Sequence, residues 1–459
     1  MKFLFYSSLL LTILLSSCWS KKNWAASDSE NEFHVLDIAA HLSTSVCQTT
    51  PPPGLKKRQS SAVAEVIHRH GACAAELLSK NQTKSSQPRL GDQSRVNSFI
   101  QKRQRGRGRD LPVYSGHFLH DGNYIVTMSL GTPERKLFLI LDTGSDLTWF
   151  QCQPCSLTCH TQQGPIFDPY KSTSYSDSSW NSSECSALAA SCIPGRSITN
   201  KCTYTITYGD DSVSTGYLGK DKLTIAPNEA FPDFACGCSL FTQGNFGLEN
   251  GLVGLGKGPI SLVSQTAKKY GGCFSYCLPS TSAKGFLLLG KDYDHTTKFT
   301  PLIDHPSSYI VNITAIAVEG RNLPANNIYM PPIPILVDSG TVISRLPSDV
   351  YKALSSKFRQ AMRTKYGYKG DFFGDGFFDT CFVPNSNKTP VPSVSFTFQN
   401  NVKVDLDASG TVYVFNESFV CLAFTDDNFA IFGNTQQKTF EVVYDVAGHR
   451  LGFRRGMCT

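Results

Sequence analysis

The chain has 459 residues, with 17% charged and 41% hydrophobic side chains. This composition is ordinary for a folded globular protein and excludes a largely disordered or fibrous one, while the length suggests two or three domains. The formal net charge of +6 is unevenly spread, because residues 56–109 hold thirteen Lys or Arg against three acids, whereas residues 110–459 carry a net −3.

The first twenty residues have the layout of a secretory signal. Lys2 precedes an apolar run from Phe3 to Leu15, and a short polar stretch separates that run from Lys21. The run is too short for a transmembrane helix, and no later segment offers the roughly 18 consecutive apolar residues that such a helix needs. We therefore assign residues 1–20 to a signal peptide and expect a secreted, extracellular protein; a retained membrane anchor is the alternative.

Residues 21–115 form a basic segment ahead of the body of the chain. The run KRQRGRGRD at 102–110 is open to three interpretations: a solvated linker, an arm that binds nucleic acid, or the end of a propeptide. Basic linkers ahead of a folded domain are favoured cleavage sites. In a secreted chain we therefore favour a prosegment and place nucleic-acid binding last.

The body of the chain reads as short strands separated by Gly- and Pro-containing turns. Strands are predicted at Tyr124–Leu130, Leu137–Leu141 and Thr203–Tyr208. Helical periodicity is clearest at Ser261–Tyr270 and Ser348–Tyr366. The predicted fold class is therefore all-β, that is, mostly β with a few helices.

An internal duplication is the strongest organisational signal. In the first copy an apolar strand leads into Asp142 of DTGS, and a distant apolar strand ends at Gly254. In the second copy an apolar strand leads into Asp338 of DSGT, and a distant apolar strand ends at Gly433. Two such copies imply two similar β lobes. We place the lobes at residues 116–300 and 301–459.

Each copy puts a carboxylate at the end of a buried strand, where an acid is rarely found without a function. Asp142 and Asp338 are the candidate catalytic residues, because one carboxylate from each lobe can meet at the lobe interface. Gly144 and Gly340 permit a tight turn, and their N–H groups can donate to the carboxylates. The motif hydroxyls have supporting roles: Ser145 and Thr341 hold outer carboxylate oxygens, and Thr143 and Ser339 reach across the interface.

These motifs, with the stretch DTGSDLTWFQCQPC, resemble the pepsin-like aspartic proteases and, more narrowly, the plant nepenthesin group and the chloroplast nucleoid DNA-binding protease group. The resemblance runs from about Gly122 to Thr459, and VIHRHGAC at 66–73 resembles that group's prosegment. It implies a bilobal fold with an active-site cleft between the lobes. It also implies acid-range hydrolysis of polypeptide substrates by water, with no metal, no cofactor and no covalent intermediate. Two nearby carboxylates would share one proton, because like charges cannot both form cheaply.

The resemblance also assigns residues outside the aspartate motifs. YGDDSVSTG at 208–216 matches the family's flap hairpin, so Tyr208 and Gly209 belong to the flap and Trp149 is the hydrogen-bond partner of the tyrosine. Gly254 and Gly433 match the glycines of the loop beneath each aspartate.

Asp211 departs from the family pattern, in which the position after the first flap acid is often small or neutral. We expect the second carboxylate either to favour basic residues in substrates, or to reduce activity as pH rises, or to be a solvated turn residue, since Asp tolerates turn conformations.

The charge split suggests a zymogen in which the prosegment acts as an intramolecular inhibitor. A Lys or Arg would pair with the aspartates at neutral pH, and acid would weaken the pairing, so we expect a cut between about Arg109 and Gly122.

The product would be a monomer in the apoplast, with vacuole or plastid as alternatives. The alternative function is a catalytically silent binding protein like the xylanase inhibitors of this fold, or DNA binding through the basic segment.

Sixteen cysteines, thirteen of them after residue 150, indicate a disulfide framework in an oxidising compartment. Cys152, Cys155 and Cys159 beside His160 could also form a zinc site, but their spacing matches no common structural-zinc pattern, so disulfides are favoured. Thirteen cysteines leave an odd thiol or a bridge to the prosegment. By the resemblance, Trp180 stands where related chains carry a cysteine, Cys238 and Cys273 are extra, and Cys381 with Cys421 and Cys277 with Cys458 are the candidate pairs. Cys47 and Cys73 are a candidate pair on the prosegment surface.

Five Asn-x-Ser/Thr sequences are candidate glycosylation sites: Asn81, Asn181, Asn312, Asn387 and Asn416.

Overall fold

The computed structural model describes residues 35–37, 47, 62–69, 73–74, 123–155, 158–188, 193–208, 211–244, 246–279, 284–324 and 332–456. The expected signal peptide and the basic run at 102–110 lie outside these ranges. Within them, no helix combines the length and the apolar composition that crossing a membrane requires.

The described residues are mostly β, which confirms the predicted fold class. In the first half of the chain the strands are β1 (Val35–Asp37), β2 (Ala62–His68), β3 (Tyr124–Leu130), β4 (Arg135–Asp142), β5 (Trp149–Gln151), β6 (Ser176–Asp177), β7 (Ile193–Arg196), β8 (Cys202–Thr207), β9 (Val213–Ala226), β10 (Glu229–Gln243), β11 (Gly251–Gly254), β12 (Cys273–Cys277) and β13 (Lys284–Leu289). In the second half they are β14 (Lys298–Pro301), β15 (Ile310–Val318), β16 (Arg321–Asn322), β17 (Ile333–Val337), β18 (Ser344–Leu346), β19 (Cys381–Phe382), β20 (Lys388–Pro390), β21 (Val394–Phe398), β22 (Val402–Leu406), β23 (Val412–Asn416), β24 (Phe419–Leu422), β25 (Phe424–Asp426), β26 (Ile431–Phe432), β27 (Phe440–Asp445) and β28 (Arg450–Arg455).

Helices are short, with one exception. They are α1 (Ser183–Leu188), α2 (Leu262–Gln265), α3 (Ala267–Tyr270), α4 (Ser348–Thr364), α5 (Ala408–Thr411) and α6 (Asn434–Gln437), with 3-10 turns at Pro169–Lys171 and Gln399–Asn401.

A large mixed sheet carries the first half of the chain and also reaches into the second. Its hydrogen-bonded order is β14-β28-β27-β12-β13-β2-β3-β4-β11-β5-β10-β9-β8-β7, with β6 beside β9. A second sheet, in the order β22-β21-β15-β17-β26-β18-β25, carries the later aspartate motif. The bilobal fold of the prediction is thus built from two sheets, each of which contains one motif.

The duplication of the sequence is repeated in the strand pairing. In the first sheet β4 runs parallel to β11, which is antiparallel to β5. In the second, β17 runs parallel to β26, which is antiparallel to β18. The last six residues of β4 are buried without alternation, as expected for a strand between neighbours whose faces are both covered.

Strand β2 comes from the segment that the sequence analysis assigned to the prosegment. It pairs with β13 on one side, with Gly285 opposite Val66, and with β3 on the other, with Val126 opposite the same residue. Its side chains alternate so that Ala62, Ala64 and Val66 are buried in the main core. Part of the predicted prosegment is therefore an internal strand of the body rather than a covering layer.

Helix α4 forms where the sequence predicted the clearest helix and ends two residues earlier. Its predicted apolar face, Val350, Leu354, Phe358 and Met362, is buried. The other predicted helix, Ser261–Tyr270, is interrupted at Thr266, which is the C-cap of α2 and the N-cap of α3.

Five disulfides are fully contained in the described residues. They join Cys47 to Cys73, Cys152 to Cys238, Cys155 to Cys159, Cys185 to Cys202, and Cys381 to Cys421. Cys277 is also disulfide-bonded, and Cys458 lies outside the described residues. Cys236 and Cys273 are buried thiols. One expectation was wrong: Cys73 is not at the surface, since it is 2% exposed against Ile67, Ile125 and Phe138.

Candidate active site

Asp142 is the last residue of β4 and is fully buried. The backbone fixes it from the neighbouring strand, because Gly254 of β11 lies opposite Asp142 and the N–H of Leu255 donates to the Asp142 carbonyl at 2.8 Å. The carboxylate accepts from the Gly144 N–H at 2.9 Å through Oδ1 and from the Ser145 hydroxyl through Oδ2. Both Asp142 oxygens are thus held by donors from its own turn.

Asp338 repeats this arrangement in the second sheet. It directly follows β17, is fully buried, and donates its N–H to the Phe432 carbonyl of β26 at 3.2 Å. Its Oδ1 accepts from the Gly340 N–H at 3.1 Å, and its Oδ2 accepts from the Thr341 hydroxyl at 2.5 Å. The Gly and hydroxyl positions of the two motifs therefore have equivalent contacts.

The residue after each aspartate joins the two motifs. The Thr143 N–H donates to the Ser339 hydroxyl at 3.0 Å, and the Ser339 N–H donates to the Thr143 hydroxyl at 2.9 Å. The Ser339 hydroxyl in turn donates to the Leu141 carbonyl at 3.1 Å. All of these atoms are buried. This reciprocal pair brings carboxylates almost 200 residues apart in sequence into one site.

Gly254 and Gly433 lie where the loop beneath each aspartate passes close to other backbone. A Cβ at Gly254 would lie 2.3 Å from the Asp146 carbonyl, and a Cβ at Gly433 would lie 2.9 Å from the Val342 carbonyl. Larger residues would push these loops away from the motifs, so both sites require glycine for close approach.

Strands β8 and β9 form a β-hairpin that is joined to β5 through Tyr208 and Trp149. Tyr208 follows β8, and its hydroxyl accepts from the Trp149 indole N–H at 2.5 Å. The turn closes through the Asp211 N–H, which donates to the Tyr208 carbonyl at 3.1 Å. Asp211 is exposed with a φ of 58°, and Gly209 lies outside the described residues.

An aromatic and ionic cluster backs this hairpin. The Phe246 ring packs edge-on against Trp149 at 5.2 Å, and it lies tilted against the His160 ring at 5.0 Å. The His160 ring also bonds the Glu249 carbonyl at 2.8 Å. Burial, more than the neighbouring Arg69, lowers the pKa of His160 to about 4, so the ring is neutral until strongly acid pH.

Metal binding finds no support at the cysteines that could have formed a zinc site. Cys152, Cys155 and Cys159 are all in disulfides. Among the described residues, no group of three or more His, Cys, Asp or Glu side chains is arranged to hold a metal ion.

Several supporting residues were not identified from the sequence. Asp146 accepts from the Gly258 N–H at 2.7 Å, and Thr148 accepts from the Gly254 N–H at 3.2 Å. In the second half, Asn434 donates to the Ser339 carbonyl at 3.0 Å and Gln437 donates to the Asp338 carbonyl at 3.3 Å. The available signal was the polar run NTQQ directly after Gly433, since a polar run beside a buried strand needs partners.

Comparisons with known proteins give matches to family models, to related chains and to solved structures. The family models described as Xylanase inhibitor N-terminal and Xylanase inhibitor C-terminal match residues 124–291 and 308–455. The chain is 41% identical to an aspartyl protease family protein of Arabidopsis thaliana, covering 98% of this chain and 99% of that protein. It is 33% identical to aspartic proteinase nepenthesin-2 of Nepenthes gracilis, covering 79% and 83% respectively.

Among solved structures, basic 7S globulin from soybean aligns with a TM-score of 0.59 at 22% identity, over 73% of this chain and 94% of that one. The structure of edgp aligns with a TM-score of 0.63 at 19% identity, over 87% and 96%. At these identities the likeness shows the shared fold.

Proposed function

This chain belongs to the pepsin-like aspartic protease family, and we propose that it is a secreted endopeptidase that hydrolyses peptide bonds at acid pH, acting as a monomer. One observation carries the proposal: two buried carboxylates with equivalent donor sets are held in one site by the reciprocal Thr143–Ser339 hydrogen bonds.

In the proposed reaction Asp142 and Asp338 divide the roles of base and acid. The ionised carboxylate takes a proton from a water molecule, whose oxygen forms a bond to the amide carbon of the substrate. The protonated carboxyl donates its proton to the carbonyl oxygen. The tetrahedral intermediate then collapses: the C–N bond breaks, and the leaving nitrogen takes the proton that the first carboxylate received from water. One hydroxyl of the intermediate returns its proton to the other carboxylate as the carbonyl forms again, so the pair again holds one proton.

The test is hydrolysis of a denatured protein at acid pH, with and without pepstatin. Asp142→Asn and Asp338→Asn keep the shape of the side chain and remove the titratable oxygen, so each should lower the rate by roughly 10²- to 10⁴-fold. Asp221→Asn is the matched control, because Asp221 is equally buried and bonded to the Ser172 and Ser174 hydroxyls. Equal loss in all three variants, or no cutting by the wild type, would refute the proposal.

A second candidate is a non-hydrolytic binding protein of the xylanase-inhibitor type. It is favoured by one observation, that both matched family models are described as xylanase inhibitor domains. The two candidates differ in their need for the aspartates. If Asp142→Asn abolishes cutting, the first holds; if the wild type binds and inhibits a xylanase without any cutting, and Asp142→Asn does so equally, the second holds. DNA binding through the basic run would appear as affinity that falls steeply with salt.

We also propose that the protein is made as a zymogen. The basic run lies outside the described residues, so the proposal rests on the charge split between residues 56–109 and the rest of the chain. N-terminal sequencing after incubation at low pH, beside an Asp142→Ala form, tests self-processing. A cut between about Arg109 and Gly122 in the wild type alone supports it, and an identical cut in the mutant would assign the cleavage to another protease.

For Asp211 we propose a preference for basic residues in substrates. Its carboxylate is exposed beside the flap tyrosine, and its left-handed φ suits glycine, so Asp211→Gly removes the charge without straining the turn. Cleavage of paired peptides with Lys or Leu near the scissile bond should show a preference for Lys that Asp211→Gly loses. An unchanged ratio would leave Asp211 as a turn residue.

We also propose that the protein is glycosylated and secreted to the apoplast. The disulfides support an oxidising compartment, and Asn181, Asn387 and Asn416 are exposed while Asn312 is half-buried. Asn81 lies outside the described residues. A mass decrease on treatment of the secreted protein with an endoglycosidase would support it, and an unchanged mass would exclude glycosylation.

A further inference from the structure

Beneath the two aspartates lies a group of three buried tyrosines that the proposed chemistry does not use. Tyr276 is on β12, Tyr444 is on the adjacent β27, and Tyr309 immediately precedes β15. None of the three exposes any measurable surface. We call these residues the tyrosine floor.

One branch of the tyrosine floor leads to Asp338. The Tyr276 hydroxyl donates to Oε1 of Gln437, whose Nε2 donates to the Asp338 carbonyl at 3.3 Å and to the Phe432 carbonyl at 2.8 Å. A glutamine amide can present either end to its surroundings. The hydroxyl donor at Oε1 selects the orientation in which Nε2 faces the Asp338 backbone.

A second branch leads to Asp142. The Tyr309 hydroxyl donates to the Leu255 carbonyl at 2.8 Å, and the Leu255 N–H donates to the Asp142 carbonyl at 2.8 Å. The Tyr309 carbonyl also accepts from the N–H of Val337, the residue before Asp338, at 2.8 Å. Tyr309 therefore contacts the supports of both aspartates.

Tyr444 holds the two branches together. Its hydroxyl lies 2.7 Å from the Tyr276 hydroxyl, and its ring packs edge-on against Tyr309 at 4.5 Å and stacks on Phe274 at 4.5 Å. The Thr143 side chain lowers the pKa of both hydroxyls, although burial outweighs this effect, so the pair lies near the motif threonine that takes part in the reciprocal bonds.

The hydroxyls of the floor remain neutral donors throughout the pH range of the protein. Burial is the largest cause, and it raises the pKa of Tyr276, Tyr309 and Tyr444 well above the usual value. Phenylalanine would fill the same space, so packing alone does not require the oxygens. The hydroxyls are needed for hydrogen bonds instead: Tyr276 bonds the Gln437 amide that donates to the Asp338 carbonyl, and Tyr309 donates to the Leu255 carbonyl.

We propose that the tyrosine floor positions the two carboxylates by fixing the backbone of Asp142 and Asp338 from opposite halves of the chain. The tyrosines contact neither substrate nor reacting atoms, so they are positioning residues, and the inference rests on the proposed peptidase function. Small displacements of reacting groups lower the rate of a chemical step more than they lower substrate binding. The floor should therefore affect kcat and leave KM nearly unchanged.

The experiment measures kcat and KM of peptide hydrolysis for Tyr276→Phe and Tyr309→Phe. Tyr124→Phe is the matched control, because Tyr124 is equally buried, lies in the same sheet as Tyr276, and donates its hydroxyl to a backbone carbonyl, that of Pro279, at 3.0 Å. We expect kcat to fall about tenfold or more in the two floor variants, with KM within about twofold, and neither constant to change beyond about twofold in the control. Near-ultraviolet circular dichroism verifies folding, and the two floor variants test the idea independently of each other.

A double-variant comparison separates positioning from general loosening. If Tyr276 acts through Gln437, adding Tyr276→Phe to Gln437→Leu should change kcat far less than it does in the wild type. Additive losses would overturn that branch. A floor variant that behaves like Tyr124→Phe, or that raises KM with kcat unchanged, would overturn the inference as a whole.

Pepstatin binding distinguishes a failure of this inference from a failure of the proposed function. If the wild type does not cut peptides, the peptidase proposal fails, and calorimetric titration with pepstatin then reports on the carboxylate pair without turnover. Weaker binding in the floor variants but not in Tyr124→Phe would still support positioning. Equal affinity in all forms, or no binding by any, would overturn it.

Discussion

The link between the upstream strand and the first lobe can be tested at one buried ion pair. Arg69, directly after β2, forms a salt bridge with Glu249, and the two side chains are 4% and 1% exposed. The backbone N–H of Arg69 also donates to the Asn123 carbonyl at 3.0 Å. Arg69→Met retains the aliphatic part of the side chain and removes the charge that neutralises Glu249.

The expected loss of unfolding free energy is about 3–5 kcal/mol, because an unpaired carboxylate would remain buried. Glu249 keeps the Gly247 N–H, which donates to its Oε2 at 3.1 Å, but one backbone donor does not replace a guanidinium. The matched control is Glu65→Gln on β2 itself. Glu65 pairs with Lys284, and these side chains are 42% and 22% exposed, so the control should lose only about 0–1 kcal/mol.

Guanidinium chloride unfolding at neutral pH, followed by fluorescence, measures both losses. The double variant Arg69→Met with Glu249→Met should recover most of the stability, because removing both charges leaves none of them buried. If Arg69→Met costs no more than Glu65→Gln, or the double variant is as unstable as the single one, the reasoning from burial is wrong.

Three further changes probe the site. Trp149→Phe keeps the ring packing and removes the indole donor to Tyr208. The value of kcat/KM should fall about tenfold with little change in melting temperature. Unaltered peptide kinetics would contradict a role for this hydrogen bond in ordering the flap. Thr143→Val removes the acceptor of the buried Ser339 N–H and should cost about 1–3 kcal/mol in denaturant unfolding, so a loss within error would argue against the reciprocal pair. His160 has a folded pKa of about 4 against 6.5 unfolded, so its contribution to stability is complete above 6.5 and is lost as pH falls through about 4, by at most about 3 kcal/mol. In His160→Asn the unfolding free energy should therefore fall less between pH 7 and 4 than in the wild type, and identical pH slopes would contradict this.

Local patterns in the sequence were sufficient for the elements that carry the motifs. Strand Tyr124–Leu130 matches its prediction residue for residue, and the predicted apolar run Leu137–Leu141 lies within β4. The apolar face of α4 could be placed because a 3.6-residue period is readable without knowing what covers it. The duplicated motif indicated a paired site for a similar reason, since each half carries its own strand, turn and glycine.

Residues whose role depends on distant partners could not be placed in this way. The alternation in Ala62–His68 was visible, but its neighbours β3 and β13 lie about 60 and 220 residues away, so nothing local showed that the strand is internal. The bond between Cys152 and Cys238 could not be predicted, because it depends on β10 lying beside β5. Tyr276 reads in the sequence as an ordinary core aromatic, and only the packing shows that its hydroxyl faces Gln437.

The position of β2 connects the upstream segment to the geometry of the site. In the described part of the sheet the order runs β27-β12-β13-β2-β3-β4, so β2 lies between the strands that carry Tyr276 and Tyr444 and the strand that ends at Asp142. Without it, β13 and β3 would each present an unpaired row of backbone donors and acceptors inside the body, which is costly because buried backbone groups need partners. A cut between residues 74 and 123 could remove the basic run. The carboxylates would then stay in place only if a strand remained paired between β13 and β3. The hydrogen bonds of Ala62–His68, its buried side chains and the Arg69–Glu249 pair are the interactions that favour retention of the original strand.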